Sequence, residues 1–283
     1  MSEPTLALAL GAGGARGLAH IRALQALDDL GIKPAAIAGS SIGSIIGAGY
    51  ASGMSGDDMH DYVRARFENR FDLLASLWKL RPDDVGEFMA EGGPRLGEIS
   101  IERVIEVFLP EQIGEDFSGL EIPLKVVATD YYAHRDHVFS SGALRTAVAA
   151  SAAIPAVFLP VKIDGEIYID GGMTNPAPFD KLAGSADIVA AIDVCGGPFG
   201  ERGTRPGKVD VMYASVQLMQ SSIIRAKAET HQLDICLQPD VASFRALDFL
   251  RTDGILTASL PLRDEFKRAV TAAMDNLIKC PDG

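Results

Sequence analysis

Short apolar runs alternate with longer amphipathic stretches along this chain, and that alternation predicts its elements. The runs predict strands over Leu6–Leu10, Ala36–Ala38, Leu124–Thr129, Val138–Ser140, Val161–Ile163, Glu166–Ile169 and Ile188–Val194. Runs without a polar interruption, such as Leu6–Leu10, suit strands buried on both faces. Between them Leu18, Ile21, Leu24, Leu27 and Leu30 recur every three residues, the spacing of one helix face. Helices are predicted over Gly17–Leu30, Gly43–Ser52, Gly56–Asn69, Ser100–Phe108, Ala143–Ala150, Val209–His231 and Leu260–Ile278. Strands separated by helices predict an α/β protein with a mainly parallel sheet between helix layers. The Gly-, Pro- and charge-rich stretch Pro82–Pro110 reads as an insertion or lid, and Gly196–Gly207 as a loop. Phe67, Phe71, Leu74 and Trp78 share one helical face. That face is either core packing or an interfacial lid that admits acyl chains.

Two glycine-rich turns sit where apolar strands meet helical patterns. Gly39-Ser40-Ser41-Ile42-Gly43 lies between the runs Ala35–Ala38 and Ile45–Ala48. A strand, a sharp turn and a helix would put Ser41 at the apex, exposed as a nucleophile. Without a Cβ at Gly39 and Gly43, strand and helix can close around a strained serine. A pattern this short also occurs as a plain turn in a buried α/β unit. Upstream, Leu6–Leu10 runs into Gly11-Ala12-Gly13-Gly14-Ala15-Arg16-Gly17. Strand, glycine loop and helix together offer backbone N–H groups to an anion. That anion is either a cofactor phosphate or an oxyanion formed at Ser41. The dinucleotide spacing G-x-G-x-x-G fails, because Arg16 occupies its last position when it is counted from Gly11. A glycine turn and a serine elbow on neighbouring strands fit the oxyanion better. Asp170-Gly171-Gly172, after Glu166–Ile169, is by itself only a turn signal.

With these three motifs in this order, the chain resembles the patatin-like phospholipases, serine acyl hydrolases with a Ser–Asp dyad. Ala128-Thr129-Asp130, Ala149–Phe158 and Asn175-Pro176 also look like that family, and the resemblance runs from about Thr5 to Val194. Ala12 stands where the family often has the first glycine of its loop. The resemblance implies a three-layer patatin-like fold, with a mainly parallel central sheet flanked by helices. It implies Ser41 as nucleophile, Asp170 as base, and Gly13 and Gly14 as oxyanion-hole donors. Arg16, Gly17, Gly39, Gly43, Gly171 and Gly172 would support them, and the substrate would be a lipid or other acyl ester.

Composition narrows the partners. With 283 residues, 47% of them hydrophobic and 23% charged, the chain is long enough for a sizeable core. It is expected to form a single domain over residues 1–283, with a motif-bearing core near 5–194 and a helical part near 208–283. A net charge of −12 argues against nucleic acid as a partner. It argues equally against simple electrostatic attachment to anionic lipid, leaving at most peripheral membrane contact. Cys195, Cys236 and Cys280 form neither a metal spacing nor a disulfide framework, so no metal or cofactor is expected and a reducing cytoplasm is. The start lacks a positive n-region, and no stretch makes a convincing membrane span. The oligomeric state leaves no mark on the sequence.

The base decides between mechanisms. Serine is a poor nucleophile until a base takes its proton, and that base is usually histidine. In the order Ser, Asp, His, only His231 follows Asp170, and it sits in a polar helix end that suits a solvated residue. His60, His134 and His137 lie between the motifs, and His20 adjoins the glycine loop it could shape. The resemblance instead implies Asp170, whose ordinary pKa of about 3.9 would have to rise on burial to serve. Arg16 could steady the loop, pair with a phosphate head group, or form a salt bridge at the helix start. The motifs themselves support acyl transfer to water through a serine ester. A thioesterase or carboxylesterase could use the same dyad. A catalytically idle regulatory protein is disfavoured by the intact Ser41 and Asp170.

Overall fold

In a computed structural model, which describes residues 3–68, 100–198 and 203–279, the first apolar run becomes the middle strand of the parallel part of the sheet. The strands are β1 (Leu6–Leu10), β2 (Ala36–Ser40), β3 (Leu124–Asp130), β4 (Arg135–Phe139), β5 (Val161–Ile163), β6 (Glu166–Ile169), β7 (Ile188–Ile192) and β8 (Ile235–Leu237). Among the described residues they form one eight-stranded sheet of order β5-β6-β3-β2-β1-β7-β8, with β4 paired to β3 off that path. The five strands from β3 to β8 run parallel to their neighbours, whereas β4, β5 and β6 join antiparallel.

Helices cover both faces, which is why β1, β2 and β7 are buried at every position. The helices are α1 (His20–Leu30), α2 (Ile42–Ala51), α3 (Gly56–Glu68), α4 (Ile101–Phe108), α5 (Leu144–Ser151), α6 (Lys208–Ala228), α7 (Thr252–Ala258) and α8 (Leu260–Lys279). Alternation along β1 splits the core in two. Leu6, Leu8 and Leu10 join the larger cluster with Leu24 of α1, Ile46 of α2 and Phe266 of α8. Ala7 and Ala9 face the other way, against Phe179, Leu182 and Ile224 of α6. The small alanines of that face let the turn at Phe179–Leu182 lie close on the sheet.

Several boundaries differ from the pattern. The first helix is divided: residues 14–19 form a 3-10 turn, and the α-helix starts at His20. It ends where Gly31 takes the left-handed conformation (φ 65°) and donates to Asp28 O. Strand β4 begins at Arg135, three residues before the expected start, because pairing with β3 and not burial holds it. Strand β7 stops at Ile192. Neither β8 nor α7 was signalled: β8 has three residues, of which only Ile235 is buried, and its order comes from pairing with β7. The stretch after residue 207 is therefore not only helical, since it adds an edge to the sheet. Phe71, Leu74, Trp78, Cys280 and residues 82–99 of the expected insertion lie outside the described residues. Among the described residues no helix is long and apolar enough to cross a membrane.

Candidate active site

The order of strand connections reverses at β1, which has β2 on one side and β7 on the other. Beyond the carboxyl ends of such strands the connections part and leave a crevice. The glycine loop leaves β1 there and Ser41 leaves β2 there, from strands registered Leu10 to Gly39.

Ser41 adopts φ 55° and ψ −127°, a conformation that side chains rarely take, and α2 begins at the next residue. Its surroundings hold it there. The Ser41 N–H donates to Ser151 Oγ at 2.9 Å, and that hydroxyl donates to Val127 O at 2.6 Å. Ser44 Oγ donates to Ser41 O at 2.7 Å. A Cβ on Gly43 would overlap the Leu10 carbonyl, so only glycine lets α2 start this close to β1. Strain of this kind persists when many contacts fix it.

Asp170 directly follows β6 and is 2% exposed. Its Oδ2 accepts from Ser41 Oγ at 2.5 Å, and its Oδ1 accepts from the Gly172 N–H at 2.8 Å. Burial raises the carboxyl from its ordinary value to about 6, and these two hydrogen bonds oppose the rise. A base in that range can take a proton near neutral pH and still be ionised beforehand. Thr129 Oγ1 donates to Asp170 O at 2.9 Å and fixes its backbone from β3.

The loop before the first 3-10 turn carries the polar counterpart. Among the described residues the N–H groups of Gly13 and Gly14 have no hydrogen-bond acceptor. Gly14 holds φ 58° and borders the same cavity as Ser41. A Cβ there would overlap Ala246 O, to which the Ala15 N–H donates at 2.7 Å. Ala12 has no positive φ, so the alanine fits without strain. Arg16 is 2% exposed and donates through Nε to Gly13 O at 3.2 Å. It does not border the cavity, so it holds the loop and is turned away from any head group there. His20 Nε2 lies 2.8 Å from Gly11 O, and burial lowers its pKa to about 4, so the ring is neutral.

The cavity has a volume of about 420 Å3 and is almost wholly apolar. From Ser41 it follows α2 past Ile42, Ile46 and Gly49 to Met54 and Met59. Phe67 lines it and also stacks on Phe108 and Phe249, with centroids 6.3 and 5.8 Å apart. It is therefore packing and lining at once.

Ser41 and Asp170 are thus in contact, and Gly14, next to Gly13 in the chain, borders the same cavity as Ser41. His231 is not among them: it is exposed and bonds Thr230 and Lys227. Among the described residues no histidine bonds Ser41 or Asp170, and no group of three His, Cys, Asp or Glu could hold a metal. The sequence assigned no role to Ser151 or Thr129, although both lie in stretches that carry the resemblance. One hydroxyl among many in a chain leaves no spacing signal.

A family model described as patatin-like phospholipase matches residues 8–183. The chain is 35% identical over 200 residues to an uncharacterised NTE family protein of Mycobacterium bovis, across 70% of this chain and 51% of that protein. It is 36% identical over 193 residues to patatin-like phospholipase domain-containing protein 6 of Mus musculus, across 67% of this chain and 13% of that protein. It is 33% identical over 189 residues to the lysophospholipase nte1 of Aspergillus fumigatus, across 66% and 12% of the two chains. The matches therefore span about half the length of the mycobacterial relative, and far less of the animal and fungal ones. Among solved structures, VipD of Legionella pneumophila aligns with a TM-score of 0.45 and 15% identity, covering 94% of this chain and 67% of that one.

Proposed function

The chain belongs to the patatin-like phospholipase family, and on that premise we propose that it is a lipid acyl hydrolase working through a Ser41–Asp170 dyad. Asp170 Oδ2 takes the Ser41 hydroxyl proton as Oγ attacks the ester carbonyl. The oxyanion so formed lies between the N–H groups of Gly13 and Gly14, donors already fixed in place. When the tetrahedral adduct collapses, the leaving alcohol recovers the proton from Asp170 and the acyl group stays on Ser41. Water then repeats the two steps and releases the fatty acid. The acyl chain lies in the apolar cavity beside Ser41, where it exchanges water for aliphatic side chains.

The observation that carries this reading is the 2.5 Å contact between Ser41 Oγ and a buried carboxylate. It supplies nucleophile and base without histidine. A dinucleotide site is disfavoured, because the glycine loop borders an apolar cavity and its one arginine points inward.

The test is labelling with a fluorophosphonate probe, followed by peptide mapping, beside turnover of a short-chain aryl ester. Wild type should label at Ser41, and Ser41→Ala should lose both labelling and turnover. Asp170→Asn should lose most turnover, His231→Ala should match wild type, and chelators should have no effect. An adduct on Ser40, or loss of activity in the His231 variant, would refute the dyad.

A further inference from the structure

Helix α6 is largely exposed. Among its described side chains only Gln220 and Ile224 are buried, although Val211, Met212, Leu218 and Met219 are apolar. Ile224 is its share of the apolar core. Two glutamines on its inner side add polar contacts, at positions 217 and 220, a spacing that puts side chains on one helix face.

Gln220 Nε2 donates to Gly172 O at 3.0 Å. Gly172 is the residue whose N–H donates to Asp170 Oδ1. It is also wedged: a Cβ on it would come 2.7 Å from Ala12 Cβ and 2.9 Å from Gln220 Nε2. Gln217 meets the other loop. In the amide orientation that satisfies both of its ends, its oxygen accepts from Arg16 Nη1 and Nη2 at 2.7 and 3.1 Å, and its NH2 donates to Gly197 O at 3.0 Å. Arg16 in turn holds Gly13 O. One helix therefore reaches the base through Gly172 and the oxyanion donors through Arg16.

We infer that α6 positions both halves of the site, Gln220 acting as a hydrogen-bond donor to the Asp170 turn and Gln217 as an acceptor for the arginine of the glycine loop. These are positioning residues, since neither lines the cavity. The inference rests on the dyad proposed above. Towards Gly172 O and the Arg16 guanidinium the two glutamines have opposite polarity, and that makes the roles separable. Glutamate keeps the shape of glutamine but only accepts. It can replace Gln217 against a guanidinium, and it cannot replace Gln220 against a carbonyl.

A second separation comes from pH. The Gly172 N–H favours the ionised Asp170, so a loosened turn raises the carboxyl further. Asp170 faces Ser41 from the turn before α2, Gly172 from its own turn and Thr129 from β3. The titratable group that interacts with it from beyond β7 is the Cys195 thiol, which burial holds neutral and which also interacts with Asp193 and Arg16. Loss of Gln220 should therefore move the acid limb of activity upward, and loss of Gln217 should leave it in place.

The experiment measures kcat, KM and the pH profile on an aryl ester for Gln217→Leu, Gln217→Glu, Gln220→Leu and Gln220→Glu. Each preparation is corrected for the fraction that labels with fluorophosphonate. Both leucine variants should lose about tenfold in kcat at unchanged KM. Gln217→Glu should recover most of that loss and Gln220→Glu should not. Only the Gln220 variants should shift the acid limb. Unchanged kcat in both leucine variants, or equal effects of glutamate at the two positions, would overturn the inference. A loss wholly explained by the labelled fraction would overturn it too, by reducing the glutamines to a structural role. If wild type itself fails to label at Ser41, the dyad reading is at fault, and the inference falls with it.

Discussion

Ser41 and Asp170 are held in states that a relaxed chain would leave. The serine has a positive φ, and the carboxyl is buried with no cation paired to it among the described residues. For Asp170 the effect on stability has a definite sign. Its folded pKa of about 6 exceeds the ordinary value of 3.8, so the folded chain holds this proton more tightly than the unfolded chain does. That stabilisation is fully present below 3.8 and is lost as pH rises through about 6. The ionised group then burdens the fold by a few kcal/mol. Asp170→Asn removes the burden, so it should melt several degrees above wild type at pH 8, with the gap closing towards pH 4. Melting curves across that range test it, and equal midpoints at pH 8 would contradict it. Gly14→Ala should be harsher than the loss of one oxyanion donor, because φ 58° and the overlap with Ala246 O strain the backbone as well. Turnover should fall by at least about 10² with a lower melting point, and unchanged kinetics would remove Gly14 from the oxyanion hole.

At the scale of elements, α2 does two jobs. Its first residue follows Ser41, the proposed nucleophile, and its far end borders the cavity. Gly49 lies eight residues beyond Ser41, about 12 Å along the axis. A Cβ there would come 3.0 Å from Met59 Cε and 3.7 Å from Met54 Sδ. Those two methionines form the floor where α3 crosses α2. The floor should set the longest acyl chain accepted. Met59→Ala should shift the preferred aryl ester to a longer chain, and Gly49→Ala to a shorter one, with about tenfold discrimination per methylene near the limit. An unchanged chain-length profile in Met59→Ala would place the acyl group elsewhere. These distances arise where α2, α3 and the turn between them meet, and no periodicity in either helix reports them.

Across the whole molecule, the region carrying the motifs depends on the region that does not. Ala246 O holds the glycine loop, Leu256 O accepts from Arg22 of α1, and Phe244, Ile255, Phe266 and Val270 complete the main core. A fragment ending at residue 194 should therefore fail to fold cooperatively, although it contains every motif; a sharp unfolding transition in that fragment would contradict this. The same dependence marks the limit of the sequence. Apolar runs and helical spacing were enough for the central strands and most helices, because burial on both faces of a parallel sheet writes itself into composition. The glycines and Ser41 stood out for a related reason: a strained turn and a close backbone approach admit few residue types. Asp170, by itself a turn signal, was picked out only by the family resemblance. The edge strand β8, the early start of β4 and the divided first helix were not legible, since pairing and packing with distant segments decide them. The serine and the aspartate stand 129 residues apart in the chain. Their 2.5 Å contact, the raised carboxyl, the neutral His20 and the grip of Gln217 and Gln220 exist only after the sheet brings their strands and helices together. Sequence fixes which groups are present, and their distance and solvation, on which the chemistry depends, belong to the tertiary structure.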